Sequence, residues 1–84
     1  IDPQYSNAYL NRGYAKDELK DYYGAISDYT KAIEINPNFR IAYKNRGIAK
    51  EKIGDIAGAC IDAKRALSLD DSSSDNEIWI EENC

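Results

Sequence analysis

The sequence predicts an all-α fold, an α–α superhelix of two stacked antiparallel helix pairs with right-handed sense, followed by a short C-terminal helix. Three observations carry this. The string Ala8-Tyr9-x-Asn11-Arg12-Gly13-x-Ala15-Lys16 returns thirty-four residues later as Ala42-Tyr43-x-Asn45-Arg46-Gly47-x-Ala49-Lys50, and Asp21/Asp55, Gly24/Gly58, Ala25/Ala59, Asp28/Asp62 and Ala32/Ala66 keep the same offset. A fixed period of that length marks one supersecondary unit copied and stacked. Within each period the apolar residues recur three and four apart, the spacing of one helix face. Gly13 and Gly47 fall inside these helices, where glycine costs about 1 kcal/mol relative to alanine. Close approach of two packed helix backbones is the gain that offsets it.

Taken in order, residues 6–19 read as the first helix, with Ser6 or Asn7 as N-cap and Tyr9, Leu10, Ala15 and Leu19 on one side. Lys20-Asp21 is the turn, and Asp21 caps a second helix over 22–35 whose stripe is Ala25, Ile26, Tyr29, Ala32 and Ile33. Asn36-Pro37-Asn38 ends it, because proline disfavours helix at the preceding residue and has no amide to donate. A third helix spans 39–53, Gly54-Asp55 turns with glycine at C′, and a fourth spans 55–69. The polar stretch Asp70–Ser74 reads as a loop. Glu77-Ile78-Trp79-Ile80-Glu81 then forms a turn or two of helix with an apolar face. Trp79 and Ile80 are expected to anchor it over the open side of the fourth helix, since two helix pairs bury their apolar faces poorly without a cover.

At 84 residues and a net charge of −4 the chain is one small domain. The charge is uneven. Six acids and no lysine or arginine lie from Asp70 onward, so the first 69 residues carry +2. No apolar run approaches the length of a membrane span, and no basic-then-apolar leader precedes the repeats. Ile1-Asp2-Pro3 aligns with Ile35-Asn36-Pro37 at the repeat offset. The expected division is therefore 1–4 as the end of a preceding unit, 5–38 and 39–72 as two units, and 73–84 as an acidic tail or capping helix. The two cysteines have no zinc-ligand spacing and there is no histidine. Cys60 is expected to pack as a small apolar residue rather than bridge to Cys84, with a reducing cytoplasm as the default location.

With these residues the chain resembles the tetratricopeptide repeat family, whose unit carries an aromatic, a small residue four later, then alanine, aromatic, alanine and a closing proline. The first unit supplies Tyr9, Gly13, Ala25, Tyr29, Ala32 and Pro37. The second keeps Tyr43, Gly47, Ala59 and Ala66 but has Ala63 for the second aromatic and Asp71 for the proline, as a degenerate terminal unit would. The paired Asn-Arg-Gly string resembles the bacterial form of the repeat. Arg12 and Arg46 are expected to pack their stems and leave their charged heads at the edge.

Catalysis has little to draw on. Histidine, a glycine-rich phosphate loop and a metal constellation are all missing from the sequence, and the acids are expected on solvated faces or caps. No enzyme, cofactor or metal is expected. Lys16, Lys20, Lys44, Arg46, Lys50 and Lys52 are interleaved with Asp17, Glu18 and Glu51 in a chain of pI about 4.7, which speaks against nucleic acid. The expected partner is a peptide or protein segment. The resemblance implies that it lies on the inner wall formed by the first helix of each pair: Asn7, Leu10, Asn11, Tyr14 and Asp17, then Ile41, Lys44, Asn45, Ile48 and Glu51. Asparagine amides there can satisfy an extended backbone, and Leu10, Tyr14, Ile41 and Ile48 offer apolar contact. Some family members grip the C-terminal carboxylate of chaperones with lysine, asparagine and arginine. Asn45 matches one such asparagine, but Leu10 and Tyr14 stand where lysine and asparagine belong, which argues against that role here. Two alternatives remain: a purely structural C-terminal cap of a longer array, and self-association through the tail, with Glu81 and Glu82 pairing with Lys44 or Lys52 of its own or a neighbouring molecule.

Overall fold

The computed structural model describes residues 3–69 and 74–84. The described residues form five helices: α1 (Pro3–Glu18), α2 (Tyr22–Ile35), α3 (Arg40–Lys52), α4 (Ile56–Leu69) and α5 (Ser74–Asn83). α1 packs on α2, α3 on α4, α2 on α3, and α5 on α4. Ile1-Asp2 and residues 70–73 of the expected 70–74 loop lie outside the described residues, and Ser74 opens α5 instead of closing that loop. No described helix is long and apolar enough to cross a membrane.

The turns are set by short-range chemistry. Asp21 accepts a hydrogen bond from the Gly24 amide (3.1 Å), and Asp55 accepts one from Gly58 (2.9 Å), so the same aspartate caps the second helix of each pair. Before each cap the chain passes through left-handed backbone, at Lys20 (φ 65°) in the first pair and at Gly54 (φ 87°) in the second. α1 starts three residues earlier than expected, at Pro3. Ser6 is consequently not a cap: it is buried and donates to the Ala32 carbonyl at 3.0 Å, tying α1 to α2.

The core is built mainly of alanine. Ala25, Tyr29, Ala32 and Ile33 of α2, Ala42 and Ala49 of α3, and Ala59, Ala63 and Ala66 of α4 are buried. Tyr9, Leu10, Ile26, Phe39 and Tyr43 are partly buried against it. Side chains this small let helices approach closely, and the two glycines extend the contact. A Cβ on Gly47 would stand 3.2 Å from the Asp62 Cβ and 3.4 Å from the Ala59 carbonyl oxygen. On Gly13 it would meet the Tyr29 ring at 2.8 Å, so here the close neighbour is an aromatic side chain rather than backbone.

Asp28 and Asp62 overturn the expectation that the acids lie on solvated faces, because both are buried. Arg12 forks onto Asp28 (Nε to Oδ2 2.9 Å, Nη2 to Oδ1 2.8 Å), and Arg46 onto Asp62 (2.8 and 2.7 Å). Lys16 and Lys50 each add a second cation at 3.2 Å. The arginine heads are therefore tied to buried carboxylates across the helix pair, not left idle at the edge. Each guanidinium also lies over the ring three residues before it, Tyr9 at 5.4 Å and Tyr43 at 5.5 Å. Arg46 further donates to Thr30 Oγ1 (3.2 Å), which links the two units.

α5 is longer than the turn or two expected, at ten residues. Trp79 donates through Nε1 to Glu51 Oε2 (2.9 Å), Asn76 donates to the Ala63 carbonyl (2.7 Å), and Ile80 is half-buried. Cys60 and Cys84 form a disulfide, contrary to the expectation of an unbridged Cys60. Their approach needs α5 laid along α4, which their separation in the sequence did not reveal. Glu81 and Glu82 are exposed, and no ion pair joins them to Lys44 or Lys52 among the described residues. Trp79, not the glutamates, makes the reach to α3.

Three outcomes follow. Gly13→Ala should destabilise by about 1–3 kcal/mol, because the buried Tyr29 ring has to move, and Gly47→Ala by clearly less; equal urea midpoint shifts would contradict the packing. Hydrogen bonding from Arg12 holds the Asp28 carboxyl below its ordinary value of 3.8. As pH falls the unfolded chain takes up this proton first, so the stabilisation is complete above about 4 and is lost as pH drops through the folded-state value. Asp28→Asn should therefore flatten the acid limb of a stability-against-pH curve, and an unchanged limb would exclude the linkage. Trp79→Ala should lower the melting temperature by about 5 °C, as loss of roughly 1 kcal/mol does in a domain of this size, with Trp79→Phe intermediate.

Candidate functional site: the face shared by α1 and α3

Short turns make the helices of each pair antiparallel, so α1 and α3 run in the same direction, and they touch. Residues 7, 10, 11, 14 and 17 fall on one stripe of α1, and 41, 44, 45, 48 and 51 on the matching stripe of α3.

Their exposure differs in a way that bears on function. Tyr14 (55%), Ile41 (42%) and Ile48 (41%) are large apolar side chains left in solvent. Asn7, Asn11 and Lys44 are exposed, and Asn45 is half-buried. Leu10 is partly buried against the core and offers only an edge. Asp17 accepts a hydrogen bond from the Tyr29 hydroxyl (3.3 Å), and Glu51 accepts from Trp79. These two acids are thus engaged in holding helices together. Burial, followed by the neighbouring Asp17 charge, pushes the Tyr29 phenol well above its ordinary value and keeps it a neutral donor. The hydrogen bonds from Arg46 to Asp62 likewise raise the guanidinium's affinity for its proton, against the cost of its burial.

The residues expected to be structural form the other side of the same helices. Gly13, Gly47, Ala25, Tyr29, Ala32, Ala59 and Ala66 are buried, Tyr9 and Tyr43 are half-buried, and Pro37 is exposed beyond the end of α2. Sequence reasoning missed Asp28, Asp62, Ser6, Thr30 and Asn76 as polar ties. A signal existed for the first two: Arg12 and Arg46 each precede an aspartate by the same sixteen residues.

Compared with known proteins, residues 6–39 match the family model described as Tetratricopeptide repeat. Among solved structures, one described as "First TPR of Spaghetti (RPAP3) bound to HSP90 peptide SRMEEVD" superposes with a TM-score of 0.90 at 23% identity, covering 99% of this chain and 66% of that one. An Arabidopsis OM64 TPR domain superposes with a TM-score of 0.86 at 30% identity, over 92% of this chain and 64% of that one. The chain thus spans about two thirds of either domain's length. No curated protein sequence matches it. At 23% identity the first likeness speaks for the fold alone. The family model, the second likeness and the internal repeat agree, and they agree with helix pairs joined by glycine-level contacts. The chain carries a tetratricopeptide repeat over residues 6–39 and has the fold of tetratricopeptide repeat domains, a class of protein-interaction module.

Proposed function

We propose that this chain is a non-catalytic module that binds an extended peptide or protein segment along the face shared by α1 and α3. One observation carries the reading: Tyr14, Ile41 and Ile48 stand 41–55% exposed on that face, alongside the amides of Asn11 and Asn45. Apolar anchors with interspersed donors and acceptors suit an extended backbone, whose amides and carbonyls the asparagines can satisfy. A solved structure of the same fold was determined with a bound peptide, which supports the reading in kind.

A second reading has its own observation. The α1 surface at Tyr5, Ala8, Tyr9 and Arg12 is open, whereas α2 packs on α3. Arg12 is 60% exposed and Arg46 only 16%. This favours an array in which a further helix pair sits on Tyr9 and Arg12, with the present units as its capped end.

A randomised peptide library selected on the whole chain, followed by calorimetry of the best binder, tests the first reading. Tyr14→Ser and Asn45→Ala should each weaken binding about tenfold, the range for an anchor worth 1–2 kcal/mol, with helical circular dichroism unchanged. Affinities insensitive to both would leave the array reading.

A further inference from the structure

The two units differ at one place that the repeat itself makes conspicuous. In the first unit the Tyr29 ring lies against Gly13 and its hydroxyl donates to Asp17. Thirty-four residues on, the equivalents are Ala63, Gly47 and Glu51. No ring comes from α4. A cleft of about 170 Å³ with a mainly apolar lining opens there instead, bounded by Gly47, Ile48, Glu51, Ala63, Asn76 and Trp79. The hydrogen bond that Tyr29 gives Asp17 has a counterpart, because Trp79 Nε1 donates to Glu51 from α5. The polar half of the missing tyrosine is thus replaced, and the volume of its ring is not. An apolar cavity of about 150 Å³ accepts a benzene ring. At the rim, Lys44 makes no ion pair or hydrogen bond among the described residues.

One wall of the cleft is α5, and its attachment is thin. None of its described side chains is buried, Ile78 is 52% exposed, and every charged residue in it is acidic. A helix this short is marginal on its own. Besides the bonds from Asn76 and Trp79, the Cys60–Cys84 disulfide ties it to α4, and Cys84 is exposed and within reach of a reductant.

We propose that the cleft between α3, α4 and α5 is a redox-gated subsite that takes an aromatic side chain of a bound peptide, seated against Gly47 and Ala63 where a tyrosine sits in the first unit. Lys44 favours a carboxylate next to that ring. A dithiol opens the gate in two exchange steps. One of its thiolates attacks a sulfur of the pair and expels the other as thiolate, and its second thiolate resolves the mixed disulfide. Cys60 and Cys84 end as thiols carrying the two electrons, and the dithiol leaves as its own disulfide. Without that crosslink the docked fraction of α5 falls and the wall is lost. The occupant rests on the peptide-binding reading above; the cleft and its gate do not.

The test uses the whole ¹⁵N-labelled chain and 3-phenylpropionate, a ring with a carboxylate. In the oxidised chain the Ile48 amide and the indole N–H of Trp79, the single tryptophan, should shift saturably, with 3-phenylpropionamide binding more weakly. Reduction of the wild type, or Cys84→Ser, should raise the dissociation constant about tenfold or more, given the constraint a crosslink of this span removes, while the α1–α4 resonances persist. Shifts absent from Ile48 and Trp79, or a dissociation constant indifferent to reduction in both proteins, would overturn the proposal. Failure here leaves the effects of Tyr14→Ser and Asn45→Ala on the selected peptide intact. Failure of those variants would leave the Trp79 shift in place, so the two readings fall separately.

Discussion

Everything in this structure depends on burying a carboxylate beside a glycine. Asp28 and Asp62 sit where their Cβ atoms approach Gly13 and Gly47, and each can occupy so dry a position only because an arginine forks onto it and a lysine stands beside it. The pairing is demanding in direction as well as distance. Two parallel N–H donors must meet two oxygens, so the first helix of each pair is fixed in rotation and in height against the second. Alanines then close the seam without large side chains. The arrangement acts less as a source of stability than as a registration device, since a well-packed apolar pair would serve stability equally well.

That device explains what was legible in the sequence and what was not. The fold was legible because a copied period, small residues at helix contacts and turn aspartates are local patterns, and α2 falls where the apolar spacing placed it. The start of α1 was misplaced because Ser6 resembles a cap and is instead a bond to Ala32 across the hairpin. Asp28 read as surface because charge alone suggests water; its burial depends on Arg12, sixteen residues away and adjacent only once the hairpin closes. The α1–α3 face was legible as a stripe, but its members divide in a way no stripe reveals. Tyr14 and Ile48 remain exposed, while Asp17 and Glu51 are taken up by Tyr29 and Trp79. The disulfide lay beyond reach for a similar reason, because it joins residues twenty-four apart whose meeting depends on how α5 settles on α4.

α5 completes the second unit in an unequal way. It restores a donor to Glu51 and a partner to the Ala63 carbonyl, yet brings no fully buried side chain of its own among those described. The first pair is held by a ring and a carboxylate buried between its own helices. The second borrows only its hydrogen-bond donor from a later segment, and so depends on a longer loop of chain being closed.

The two turns within the pairs make a further contrast. Lys20 holds left-handed backbone that Gly54 adopts freely in the second pair, at a cost of about 1–2 kcal/mol for a residue bearing a Cβ. Of the two hairpin joints, the one between α1 and α2 is accordingly the weaker spring. Amide protons around that joint are expected to exchange with solvent sooner than their counterparts thirty-four residues along.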